Sequence, residues 1–264
     1  MLCKFIGAQT HEATLDLFEK VVVGGSFKFT AALRFNDPFE FKFHPVRPSS
    51  RRQLQTWHDT HDPTRSQAEI EQAWRTSRRG RGWNYLAGFS ARAQLLQSCY
   101  VSCFTRKATS HLMWAHYSQA HTGFAVLYDD ALVDTLHAVD GFESAGPVTY
   151  RAGVPRVRHF VDSPQTTMQK VLFTKSGEWR YEEEFRVVFT GNPGQDAIYL
   201  ATDPLLVKGV ILGGRANEAL RTRALELRNV RPELEVSAVA SRGWTYDLTA
   251  ERLENNVWRT TQIL

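Results

Sequence analysis

The run Glu178-Trp179-Arg180-Tyr181-Glu182-Glu183-Glu184-Phe185-Arg186 brings three consecutive carboxylates to the entry of an apolar stretch. Side chains alternate faces along a strand, so Glu182, Glu184 and Arg186 are expected on one face, with Glu183 and Phe185 on the other. If Phe185 packs inward, Glu184 points out at the strand mouth. There a carboxylate can stabilise developing positive charge or take a proton from a hydroxyl nucleophile. The same pattern also describes a solvated strand edge, where a Glu/Arg ladder contributes a few tenths to about 1 kcal/mol.

A second cluster joins Tyr100-Val101-Ser102-Cys103-Phe104-Thr105 to the helix predicted from His111 to Gln119. Helical spacing groups His111, Trp114 and Ser118 in one stripe and Met113, His116, Tyr117 and Ala120 in the next. An aromatic pair flanked by His and Ser suits a flat heteroaromatic ring, and equally suits the buried seam of an amphipathic helix. His111, His116 and His121 recur every five residues with Cys99 and Cys103 upstream. On one helix that spacing leaves them about 140° apart, so no metal site is expected from them. His58-Asp59-Thr60-His61-Asp62 has metal-like spacing but lacks a second cluster. Arg75, Arg78, Arg79 and Arg81, followed by Trp83 and Tyr85, could give phosphate contacts and base stacking to single-stranded DNA or RNA, or form a solvated loop. Gly24-Gly25 and Gly213-Gly214 lack phosphate-loop spacing and read as turns.

The elements that must carry these residues open as strand Leu2 to Ile6, helix from about Thr10 to Val22, a Gly-Gly turn, and strand Ser26 to Thr30. Ala31 to Glu40, with its Asn36-Asp37-Pro38 turn formers, reads as a loop. From 45 to 98 prolines and arginines multiply, and helices are expected at Gln67 to Arg75 and Leu86 to Gln97. This is an inserted helical subdomain. Strands follow at Tyr100 to Thr105, Gly123 to Tyr128, Val148 to Arg151, Phe185 to Thr190, Ile198 to Leu200, Val207 to Leu212, Val236 to Ala240 and Trp244 to Leu248. Helices are expected near Asp130 to His137, Val161 to Phe173 and Asn217 to Arg228. Without a regular βαβ rhythm, the expectation is one α+β domain over 1–264. It holds a mixed, mainly antiparallel sheet with flanking helices and the insertion at 45–98.

The chain has 264 residues, 42% hydrophobic and 23% charged, which is an ordinary globular composition. Its net charge of +4 is a weak pull toward acidic partners. Three cysteines cannot form a disulfide framework, and neither a membrane-spanning run nor a signal-like N-terminus is visible, so a cytoplasmic protein is expected.

CKF near the start, FNDPFE (35–40), VSCFT, MWAHYSQAHTGFAVLYD and KSGEWRYEEEFRVVF, in that order, resemble a bacterial family of unknown function with abortive-infection, phage-resistance relatives. More distantly, the order of a first strand, a helix ending in Gly, a Ser/Thr strand before a helix, and E-x-E feeding an apolar strand is similar to ADP-ribosyltransferases, especially those acting on DNA or RNA. That resemblance implies an NAD-dependent mono-ADP-ribosyltransferase-like effector in phage defence. It implies Glu184 as the catalytic carboxylate, Glu182 orienting the acceptor, and Tyr117 stacking on nicotinamide. Lys4, Asn36, Asp37, Ser102, Thr105, Trp114, His116 and Arg186 would then form the NAD site, with no metal. Lys4 stands where that family has Arg or His, and VSCFT replaces its usual STS. The alternatives are a non-catalytic sensor or antitoxin-like binding module, and a metal-independent nuclease using His116 and the basic insertion.

Overall fold

Phenylalanine and β-branched residues at every second position give the sheet its buried faces, as in Ser26–Ala31, where Phe27, Phe29 and Ala31 are buried and Lys28 is exposed. The computed structural model describes residues 1–79, 83–241, 243–254 and 257–261. The main sheet contains β1 (Leu2–Ile6), β2 (Ser26–Ala31), β3 (Cys99–Thr105), β4 (Phe124–Tyr128), β5 (Phe142–Pro147) and β6 (Glu184–Thr190). It continues with β7 (Ala197–Ala201), β8 (Val207–Leu212), β9 (Glu235–Ser241), β10 (Leu248–Glu254) and β11 (Val257–Thr261). The order is β7-β2-β3-β1-β4-β8-β9-β10-β11, with β6 paired to β3 and to β5. Of these pairings only β8 with β9 is parallel. The fold is α+β with a mainly antiparallel sheet.

One irregularity in this sheet positions the site. Strand β6 follows β3 over its full length, from Glu184 opposite Thr105 to Thr190 opposite Cys99. On the other edge of β3, β2 meets only Tyr100 and Val101, and β1 meets only Thr105. The two strands splay apart opposite Ser102, Cys103 and Phe104. A gap of that kind inside a sheet can hold a cavity without breaking the surrounding ladders.

Helix α1 (His11–Phe18), capped by the Thr10 hydroxyl, continues as one π turn to Val23 and buries Phe18 and Val22 against the sheet. Helices α2 (Arg51–His61), α3 (Gln67–Arg78) and α4 (Trp83–Ser98) come between β2 and β3. The first of these lies where the sequence suggested no helix. The metal-like His58 and His61 of α2 instead pack around Trp57, His61 stacked at 4.9 Å between ring centroids and His58 edge-on at 4.9 Å. Arg75 pairs with Glu71, and Arg78 lies over the Trp74 ring; Arg81 lies outside the described residues, and the side chains of Trp83 and Tyr85 are not described. The remaining helices are α5 (His111–Tyr117), α6 (Ala131–His137), α7 (Pro164–Leu172) and α8 (Glu218–Val230). The last expected strand runs later than its sequence suggested, at Leu248–Glu254. Among the described residues no helix is long and apolar enough to cross a membrane.

After α5 the chain turns through three consecutive left-handed residues, Gln119 (φ 50°), Ala120 (φ 50°) and His121 (φ 68°). The turn is held by hydrogen bonds from the Gly123 N–H to Ser118 O and from the Arg215 N–H to His121 O. It fits because Gly213 has no side chain: a Cβ there would lie 2.2 Å from the His121 carbonyl oxygen. We therefore expect Gly213→Ala to destabilise the protein by about 1–3 kcal/mol, the range for forced overpacking. Urea unfolding checks this, and an unchanged midpoint would show that the turn yields freely.

Candidate functional site

The acidic run does not enter β6 as a continuous strand. Residues Gly177–Glu182 form a 3-10 helix, Glu183 turns left-handed (φ 44°), and β6 begins only at Glu184. This turn, rather than strand alternation, brings the Glu182 and Glu184 side chains to the same ammonium group. Lys175 Nζ, in the short strand Thr174–Ser176, lies 2.5 Å from a Glu182 oxygen, 3.2 Å from Glu184 and 3.2 Å from Glu40.

Arg186 sits behind them with its side chain wholly buried. Its guanidinium forks onto Glu184, donating from Nε at 2.7 Å and from Nη2 at 2.9 Å. Nη2 also donates to Glu40 at 2.9 Å, and Nη1 to the Leu172 carbonyl at 2.7 Å. Bidentate pairing of this kind fixes direction as well as charge. Glu40 arrives from the 36–41 loop, followed by Phe41 in the left-handed region (φ 56°). Arg92 holds that loop by donating to the Pro38 and Glu40 carbonyls. Three carboxylates against two cations leave one net negative charge in the buried cluster, and Glu40 Oε2 has no hydrogen-bond partner.

The two carboxylates nearest the cavity are driven apart. Burial pushes the Glu184 carboxyl up, but the Arg186 guanidinium with its hydrogen bonds, and then Lys175, overcome this and hold it at about 2. Burial raises Glu182 above the usual carboxylate range; Lys175 opposes the rise and the Glu184 charge adds to it. The Tyr117 hydroxyl donates to Glu182 at 2.5 Å, and burial together with that bond raises the phenol strongly.

These groups face a cavity of about 360 Å³ in the gap between β1 and β2. Glu182, Glu184, Tyr117, Lys4, Asn36 and His116, all suggested by the sequence, line it. Lys4 donates from Nζ to Ser102 Oγ at 2.8 Å and to the Cys103 carbonyl at 3.3 Å, so Ser102 acts through Lys4. Other suggested residues fall elsewhere. Trp114 is fully buried, donating to the Ala108 carbonyl and packing edge-on against Phe5, because its stripe of α5 turns to the core while that of Met113, His116 and Tyr117 turns to the cavity. Thr105 is buried and accepts from the Lys107 N–H. Asp37 faces a neighbouring pocket and accepts from the Phe39 N–H in a tight turn. Arg186 stands behind the wall. Two residues absent from the sequence-based site, Glu40 and Lys175, hold it together; Glu40 closes the FNDPFE motif and Lys175 opens KSGEWRYEEEFRVVF, but neither residue type alone indicates that it joins the cluster.

His111 and His121 do not share one helix as the sequence suggested: α5 ends at Tyr117, and the left-handed turn returns His121 to 6.3 Å from His111, stacked on Trp114. Among the described residues no three His, Cys, Asp or Glu side chains are grouped to hold a metal.

Residues 113–187 match a family described as a protein of unknown function (DUF2971). That span runs from α5 into β6 and carries Tyr117, Lys175, Glu182, Glu184 and Arg186. No curated protein and no solved structure matches the chain.

Removing one partner from a buried ion pair strands the other. Arg186→Met should therefore cost about 3–5 kcal/mol in urea unfolding, and Arg186→Met/Glu184→Met should recover much of that loss. A single variant as stable as the parent would mean that the pair is not effectively desolvated.

Proposed function

We propose that the protein is an NAD-dependent mono-ADP-ribosyltransferase-like enzyme acting from the cavity between β1 and β2. The observation that carries this reading is geometric: Glu182 and Glu184 line one wall of the cavity beside a pinned tyrosine, and their surroundings shift the two carboxyls in opposite directions. Neighbouring acids pushed apart by their surroundings are suited to different roles in one reaction.

In this reading the bond between nicotinamide and ribose breaks and its electron pair leaves with nicotinamide, so that positive charge develops on the ribose ring. Glu184, kept ionised by Arg186, stabilises that charge from a cluster whose net charge is negative. The acceptor's oxygen or nitrogen then bonds to the ribose carbon, and its proton passes to Glu182, whose raised affinity for a proton suits a base. Tyr117, fixed through its hydroxyl, presents its ring to the nicotinamide. The cavity volume of about 360 Å³ lies in the range of small-molecule sites. A role in phage defence belongs to the same proposal and follows the likeness to abortive-infection proteins.

One observation favours a second reading. Every carboxylate of the cluster is ion-paired, as in a rigid binding module with no catalytic step. Incubation with labelled NAD and cell extract separates the two readings. The transferase reading predicts nicotinamide release and a labelled product, both reduced about 100-fold or more in Glu184→Gln, in line with loss of one electrostatic stabiliser. Folded protein that neither consumes NAD nor yields a labelled product contradicts it and leaves the binding module.

A further inference from the structure

Beside the main cavity, between β1, β2 and the end of α1, lies a smaller pocket of about 220 Å³ that shares Lys4, Phe5, Thr30 and Tyr117 with it. Two lysines, Lys4 and Lys28, line this pocket, and among the described residues no Asp or Glu does. Among the described residues the Lys4 ammonium hydrogen-bonds to neutral partners, the Ser102 hydroxyl and the Cys103 carbonyl. No ion pair forms at Lys28 among the described residues, in contrast to Lys175 with its three carboxylates.

The Tyr128 hydroxyl, on a fully buried ring that also lines the pocket, has no hydrogen-bond partner among the described residues. A donor left unsatisfied in that position is destabilising unless a ligand or water meets it. Burial pulls the Lys4 ammonium down and the like charge of Lys28 adds to this, with Cys103 and the Glu184 carboxylate opposing it. An anion placed between the two would relieve both effects.

We propose that this pocket is an anion subsite for the phosphate or diphosphate group of a ligand whose reactive end occupies the main cavity. The identity of that ligand as NAD rests on the transferase reading; the charge pattern of the pocket does not. Two lysines, one of them on an exposed strand face, act on a phosphate as point charges and fix its position less tightly than an arginine fork would. Thr30 and Tyr128, both hydroxyl-bearing residues, also line the pocket.

The test is isothermal titration of the full chain with inorganic pyrophosphate. Lys28 is exposed, so Lys28→Glu should leave the melting temperature unchanged, and this serves as the folding control. We expect one saturable site that weakens with added salt, and a loss of about tenfold or more in Lys28→Glu, the scale of one charge-assisted contact reversed. Tyr128→Phe should weaken binding by a smaller factor. Absence of pyrophosphate binding to the parent chain, or equal binding by Lys28→Glu, overturns the subsite. Because the probe needs no chemistry, pyrophosphate binding through Lys28 without NAD consumption would sink the transferase reading and keep the subsite. NAD consumption with an unchanged KM in Lys28→Glu would do the reverse.

Discussion

The fork between Arg186 and Glu184 is the interaction on which the site depends. A guanidinium and a carboxylate so deeply buried each cost several kcal/mol to desolvate, and close bidentate pairing is what offsets this. Once Arg186 is placed, Glu40 and the Leu172 carbonyl are drawn to its remaining donors. Three separate parts of the chain, the 36–41 loop, the end of α7 and the start of β6, are thereby tied to one plane. Lys175 closes the cluster from the cavity side by bridging all three carboxylates. The direction of Glu184, and through Lys175 that of Glu182 and Tyr117, follows from this arrangement.

The backbone is bent to fit the cluster. Of the described non-glycine residues with positive φ, Phe41 follows Glu40, Glu183 separates Glu182 from Glu184, and Gln119, Ala120 and His121 follow closely on Tyr117. Each such conformation costs on the order of 1–3 kcal/mol and persists only where surrounding contacts over-determine it. Their placement beside these four side chains, and at no other described non-glycine position, links local strain to the orientation of the cavity wall. The gap opposite Ser102 to Phe104 has the same character, since unpaired backbone on β3 makes room for Lys4 and for the cavity.

Much of the scaffold was legible because its signals are local. The apolar alternation of Phe27 and Phe29, the run Phe124–Tyr128 and the Gly-Gly stop after α1 specify their elements without long-range information. Helix α2 was missed because RRQLQTWHDTH offers only Leu54 and Trp57 as apolar residues, too few for a visible period. The three glutamates read as a strand because no residue type announces that Glu183 turns left-handed. Trp114 and Tyr117 lie three residues apart on α5, and that rotation suffices to send one to the core and the other to the cavity. Lys175 and the splaying of β1 from β2 are products of tertiary arrangement, and no spacing in the chain encodes them.

The cluster thus shifts two neighbouring carboxyl groups in opposite directions, Glu184 down under Arg186 and Lys175, and Glu182 up under burial and the Glu184 charge. Carbon-13 NMR titration of the Glu182 and Glu184 side-chain carboxyls measures these shifts directly. Glu184 is expected to stay ionised down to a pH of about 2, and Glu182 to take up its proton above the ordinary glutamate range. Joint titration of both at the unperturbed value of about 4.3 would contradict this.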